Sequence, residues 1–172
     1  MKISTSNFTT LAFLLGSFSF FGESLSAQQS FWTGNGSNQH FSNSSNWDAG
    51  VPDPNTRASF HLNSTFSVNL TTSVNARSID ARNVNCTFFG GNKITIGTDG
   101  DASFIWSDAQ LKLNGPDTIM NSDGILFVGG TIGPGLLTIE NNAEFNQSNA
   151  ASISIIEASS LIIKGDGKIF LI

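Results

Sequence analysis

The sequence predicts an all-β chain wound into a parallel β-solenoid, and three observations carry that reading. A short apolar–x–apolar unit recurs from residue 66 onward, which is the period-2 pattern of strands with one face in and one face out. Gly, Asn, Asp and Ser fill the gaps between units, and no window carries a helical period. The units also resemble one another: "ITIGTDG", "LFVGGTIG", "LTIENNAEF" and "LIIKGDG".

The units are Phe66/Val68, Val84/Cys86/Phe88, Ile94/Ile96, Phe104/Trp106, Leu111/Leu113 and Leu126/Val128. They continue as Leu137/Ile139, Ala143/Phe145, Ile153/Ile155, Leu161/Ile163 and Ile169/Leu171. Between them stand Gly90-Gly91-Asn92, Asp99-Gly100-Asp101, Asn114-Gly115-Pro116, Gly129-Gly130, Gly133-Pro134-Gly135 and Gly165-Asp166-Gly167. Such residues accept positive φ or bond their own backbone, so they suit tight corners. Short units alone permit a sandwich or a solenoid. Hairpin dipeptides between alternating runs are nearly absent, and self-similar triplets favour stacked rungs. At roughly 20 to 25 residues per coil, the stretch 61–172 makes about five coils. At about 4.8 Å per strand that is a stack about 25 Å long. The expected form is a right-handed β-helix.

The first 27 residues read as a secretory signal: Lys2, an apolar stretch from Leu11 to Phe21, and Ser24-Leu25-Ser26-Ala27 before a cleavage point. The apolar stretch is shorter than the roughly 20 residues a membrane span needs. Export follows as the expectation, to the medium or the cell surface, with no transmembrane span in the mature chain. The expected division is a signal at 1–27, a Trp-rich N-terminal cap at 28–65 and a repeat region at 66–172 that continues beyond it.

Residues 31–60, "FWTGNGSNQHFSNSSNWDAGVPDPNTRASF", have no clean period. The first coil of a solenoid exposes an apolar cross-section and unpaired strand edges. Trp32, Phe41, Trp47 and Phe60 are expected to plug the cross-section as a cap. Pro52 and Pro54 are expected to stop further pairing, since proline has no amide donor. The alternative use of Trp32 and Trp47 is a sugar-stacking platform, the mark of a carbohydrate-binding module.

The same stretch resembles the opening of large exported bacterial proteins with autotransporter-associated β-strand repeats. The matching positions are Trp32, Gly34, Phe41, Ser42, Asn46, Trp47, Gly50, Pro52, Ala58 and Phe60. "ILFVGGTIGPGLLTIENNAEFNQSNAASI" is similar to the repeat itself. Thr56 and Arg57 stand where that family usually has an Asp. The resemblance implies a secreted or surface-displayed β-helical stalk with an adhesive or matrix role and no catalysis.

Composition narrows the partners. The net charge is −5 and no Lys or Arg run exists, which argues against nucleic acid and anionic membrane surfaces. Surface polysaccharide or matrix remains as the expected partner. Cys86, the single cysteine, excludes an intrachain disulfide, and its place in an alternating run marks it as buried. His40 and His61 lack zinc-ligand spacing. Asp99-Gly100-Asp101 and Gly165-Asp166-Gly167 match no calcium loop and read as turns. No cofactor or metal is expected. A β-helical polysaccharide-degrading enzyme is the remaining alternative, and it needs converging acids. Only Asp80 with Arg82, and Asp99 with Asp101, stand close in sequence. The end of the sequence, Lys168-Ile-Phe-Leu-Ile172, is an uncapped apolar alternation, so the edge Ile169–Ile172 is expected to associate with a partner or with further coils.

Overall fold

The computed structural model describes residues 28–97, 101–148, 152–156 and 158–171. The expected signal at 1–27, together with Asp99, Gly100 and Ile172, lies outside the described residues. The strands are β1 (Gln28–Phe31), β2 (Thr56–Phe60), β3 (Thr65–Asn69), β4 (Val74–Ala76), β5 (Ser78–Arg82), β6 (Asn85–Phe89), β7 (Lys93–Ile96) and β8 (Ser103–Trp106). They continue as β9 (Ala109–Asn114), β10 (Ile119–Ser122), β11 (Leu126–Val128), β12 (Gly135–Glu140), β13 (Glu144–Gln147), β14 (Ile153–Ile155), β15 (Ser160–Lys164) and β16 (Lys168–Leu171). One short 3-10 turn, Ser44–Asn46, interrupts them.

The strands form three sheets, all with parallel pairing. The first has the order β1-β2-β5-β8-β11-β14, the second β3-β6-β9-β12-β15, and the third β4-β7-β10-β13-β16. Each coil from β2 onward contributes one strand to each sheet before rising to the next level. The result is a parallel β-solenoid of about six turns. Partner residues on neighbouring coils are between 20 residues apart, Thr65 and Asn85, and 28 apart, Gln28 and Thr56.

Alternation decides what fills the interior. On the second sheet, Phe66, Cys86, Leu111, Leu137 and Leu161 stand in one inward column, and Val68, Phe88, Leu113, Ile139 and Ile163 in the next. Stacking like on like buries each side chain against its equivalents above and below, and Phe88, Leu113 and Ile139 are fully buried. Burial also pushes the Cys86 thiol well above its ordinary value, so it is an inert core group. Corners are made by residues that accept left-handed backbone: Asn83, Asp108, Asp117, Asn141 and Asn142 all have φ between 49° and 64°. One corner admits only glycine. Gly97 has φ of 80°, and a Cβ there would sit 2.2 Å from the amide nitrogen of Gly124 one coil on.

Two expectations change. The pair Phe104/Trp106 faces outward, and Ser103 and Ile105 take the buried positions of β8. The expected boundary at residue 65 also moves, because β1 and β2 already belong to the first sheet. Pro52 and Pro54 therefore do not end the pairing; they precede β2 in the turn that delivers it. Between β1 and β2 runs the loop of residues 32–55, which meets the second sheet through a parallel bridge of His40 to Asn69. Asn46, fully buried, organises it: its Nδ2 donates to the carbonyls of Asn38 and His40 at 2.8 and 2.9 Å, and its Oδ1 accepts from the Gly36 amide at 2.8 Å. The Trp47 indole donates to the Phe41 carbonyl at 2.7 Å. Phe41 packs on Trp47, Trp47 on Phe60, and Trp32 on Phe60 and Phe66.

Phe88 is in van der Waals contact within a closed column, so truncation leaves a cavity the stack cannot collapse. Phe88→Ala is expected to lower unfolding free energy by about 3–5 kcal/mol, measured by urea denaturation followed by tryptophan fluorescence.

Candidate functional site on the outer face of the first sheet

The outer face of the first sheet gathers most of the chain's unusual chemistry. Register places Phe31, Ser59, Asp80, Phe104, Phe127 and Ser154 in one outward column. Beside it, Arg82 stands under Trp106. Asp80 and Arg82 are two residues apart on β5 and so share a face. His61 follows directly after β2.

These placements converge on the Asp80 carboxylate, which is fully buried although it lies outside the apolar interior. Oδ1 accepts from Arg82 Nε at 2.9 Å and from Trp106 Nε1 at 2.9 Å. Oδ2 accepts from Arg82 Nη2 at 2.6 Å, and His61 Nε2 lies 3.3 Å away. The Arg82 guanidinium covers the Trp106 ring at 4.6 Å, a cation–π contact. Phe104 stacks on Trp106 at 4.9 Å and on Phe127 at 5.3 Å. The Phe31 ring meets His61 edge-on at 5.1 Å.

Burial alone would raise the pKa of Asp80, and it is the largest single influence. The contacts from His61, Arg82 and Trp106 together outweigh it and hold the carboxyl well below the usual carboxylate range. Such a group stays ionised, and its lone pairs are occupied. It is a poor proton donor and a poor base. What it does is tie three successive coils together: His61 after β2, Asp80 and Arg82 on β5, Trp106 on β8.

A second anion does the same at another corner. Oδ2 of Asp101 accepts from Arg57 Nη2 at 3.2 Å, Arg77 Nε at 3.1 Å and Ser78 Oγ at 3.2 Å. Partial burial works against its ionisation, but Arg57, Ser78 and Arg77 prevail and lower its pKa. Asp99, which stands close to Asp101 in sequence, lies outside the described residues.

The sugar platform is not formed by the expected pair. Trp32 and Trp47 are only 2% and 5% exposed, and their rings meet edge to face at 86°. A sugar needs an open ring face, and here Phe41, Phe60 and Phe66 occupy them. Three surface hollows are each lined by at most one acidic residue, Asp108 or Asp117. Among the described residues no group of three or more His, Cys, Asp or Glu is placed to hold a metal ion. Nor is any described helix long and apolar enough to cross a membrane.

No family model, no curated protein and no solved structure matches this chain. The site is therefore read from its own geometry.

Asp80→Asn removes the anion while leaving Arg82 and Trp106 in place. Arg82 keeps 37% of its side chain in water, so the cost is expected at roughly 2–3 kcal/mol, below the range for a fully buried pair. The pH dependence has a definite sign. A depressed folded value means that Asp80's contribution is complete above its unfolded value near about 3.9 and is lost as the pH falls from there. The native chain is expected to lose stability below about pH 4, and Asp80→Asn to show a shallower acid limb, read by thermal unfolding from pH 2 to 7.

Proposed function

We propose that the chain is an exported structural or adhesive β-helical stalk, displayed outside the cytoplasm, with a non-catalytic role. One observation carries the reading: a parallel stack in which the carboxylates of Asp80 and Asp101 are engaged in holding coil to coil. In an enzyme those acids would be expected beside an open groove with free lone pairs. In a stalk they resist shear between rungs. The aromatic loop over the first coil fits the role of a cap, because it covers apolar rings that the stack would otherwise expose. The resemblance of residues 31–60 and 125–153 to autotransporter-associated repeat proteins supports the same reading, as does the secretory pattern of residues 1–27.

The lateral faces supply the contact surface for polysaccharide or matrix. One outward column of the third sheet runs Asn75, Thr95, Asn121 and Asn146 before it reaches Phe170, and the Asn146 amide donates to Asn121 at 3.1 Å. A regular polar ladder of this kind offers repeated hydrogen-bonding groups at the spacing of the coils.

The test is intact mass and N-terminal sequence of the protein recovered from fractionated cells and medium. The proposal predicts a mature N-terminus near Gln28 in the medium or on the surface. A cytoplasmic pool that retains residues 1–27 would contradict it. A second measurement, retention of the purified protein on immobilised polysaccharide or matrix, separates an adhesive stalk from a purely structural one.

A further inference from the structure

At the corner where the second sheet passes into the third lies a hollow of about 500 Å³, within the roughly 300–1,000 Å³ of small-ligand sites. Two neighbouring coils build it. Phe89 ends β6 and Asn114 ends β9, directly after the register partners Phe88 and Leu113. Phe88 is fully buried, so alternation turns Phe89 outward, where it is half-buried. Gly91, Pro116, Asp117 and Thr118 complete the lining. The Thr118 hydroxyl donates to the Asn114 carbonyl at 3.0 Å and accepts from the Gly91 amide at 3.4 Å, which holds the two coils in place around the hollow.

The groups left over point to a ligand. Phe104, Trp106 and Phe127 stack on one another, whereas Phe89 has no ring or cation partner among the described residues. Gly91 has φ of 70°, and a Cβ there would meet nothing nearer than the Pro116 carbonyl oxygen at 3.6 Å, so the space over it is open. Asn141 Nδ2 donates to Asn114 Oδ1 at 2.7 Å. That bond fixes the Asn114 amide and leaves its Nδ2 without an acceptor among the described residues. The Asp117 carboxylate is exposed and has no hydrogen-bond or ion-pair partner among them.

We propose that this hollow binds one sugar residue of a neutral polysaccharide, its ring against Phe89 and its hydroxyls shared between Asp117 and Asn114. The inference narrows the polysaccharide contact of the stalk reading to one place, and it rests on that reading. Charge selects the ligand class. No cation lines the hollow, so an anionic ligand would meet Asp117 with nothing to offset the repulsion. An organic cation would satisfy Asp117 and leave the Asn114 donor unused. Hydroxyl groups both donate and accept, so a polyol uses both side chains at once. The C–H face of a pyranose carries partial positive charge and suits the negative face of an open aromatic ring.

Migration of the folded protein in native gels cast with dextran, arabinoxylan, galactomannan or β-glucan tests the proposal, with pectate as the anionic comparison. Retardation by at least one neutral polysaccharide is expected, and none by pectate. Phe89→Ala is expected to abolish the retardation with an unchanged β-type circular dichroism spectrum, since its ring lies outside the core columns. Asp117→Asn keeps a residue suited to the left-handed corner, where φ is 59°. It is expected to weaken retardation several-fold, and it decides should Phe89→Ala misfold. Native-like retardation in either folded variant would overturn the proposal, as would retardation by pectate alone. Retardation that survives Phe89→Ala but is lost in Asn121→Ala with Asn146→Ala would overturn this site and leave the polysaccharide contact of the stalk standing. Retardation by none of the gels would overturn both.

Discussion

The whole molecule depends on the register of its parallel ladders. Each strand inside a sheet is hydrogen-bonded to the strand one coil before and one coil after, and a slip of one residue would turn every inward side chain outward. The columns Phe66-Cys86-Leu111-Leu137-Leu161 and Val68-Phe88-Leu113-Ile139-Ile163 exist only in the observed register. Backbone pairing is blind to sequence, so the apolar columns supply the specificity, and the backbone supplies the continuity. Coil length varies by several residues without disturbing the ladder, because extra residues leave at the corners.

Lateral anchors add to that register from outside. The Asp80 cluster joins groups from three successive coils, and Asp101, just before β8, gathers Arg57 of β2 and Arg77 just ahead of β5. Sheet-to-sheet slippage would pull these donors off their carboxylates and leave buried charge unpaired, which is costly. Polar groups on the outer face therefore do positioning that the apolar interior does less sharply. The aromatic stack of Trp106, Phe104 and Phe127 extends this tie over the following coil.

Much of the architecture was legible because inward pairs of large apolar residues mark strands by themselves. Leu111/Leu113, Leu126/Val128, Leu137/Ile139 and Ile94/Ile96 all fall inward as their alternation predicts. Five strands escaped the pattern: β1, β2, β4, β5 and β10. Their inward residues include Ala58, Ala76, Ala81 and Ser122, too small or too polar to register as an apolar unit. Phe104/Trp106 was read on the wrong face because alternation reports which residues share a side, not which side is buried. Half of the Asp80 site was visible for the same reason that β5 alternates: Asp80 and Arg82 share a face. Trp106 lies 26 residues further on, and only the coil register brings its indole to the carboxylate. The two tryptophans of the opening stretch stood out by type, yet type alone cannot say whether an indole is a floor or a filling.

The central claim is the stacked register itself, and spin–spin distances test it most directly. Nitroxides on Asn75, Thr95, Asn121 and Asn146, taken in pairs with buried Cys86 unlabelled, sample the outward column of the third sheet. The stack predicts separations that grow in equal steps of about 4.8 Å per coil, reaching about 14 Å between Asn75 and Asn146. Distances that fail to rise in order along the column would mean that these residues do not lie on successive rungs, and the solenoid account would fall.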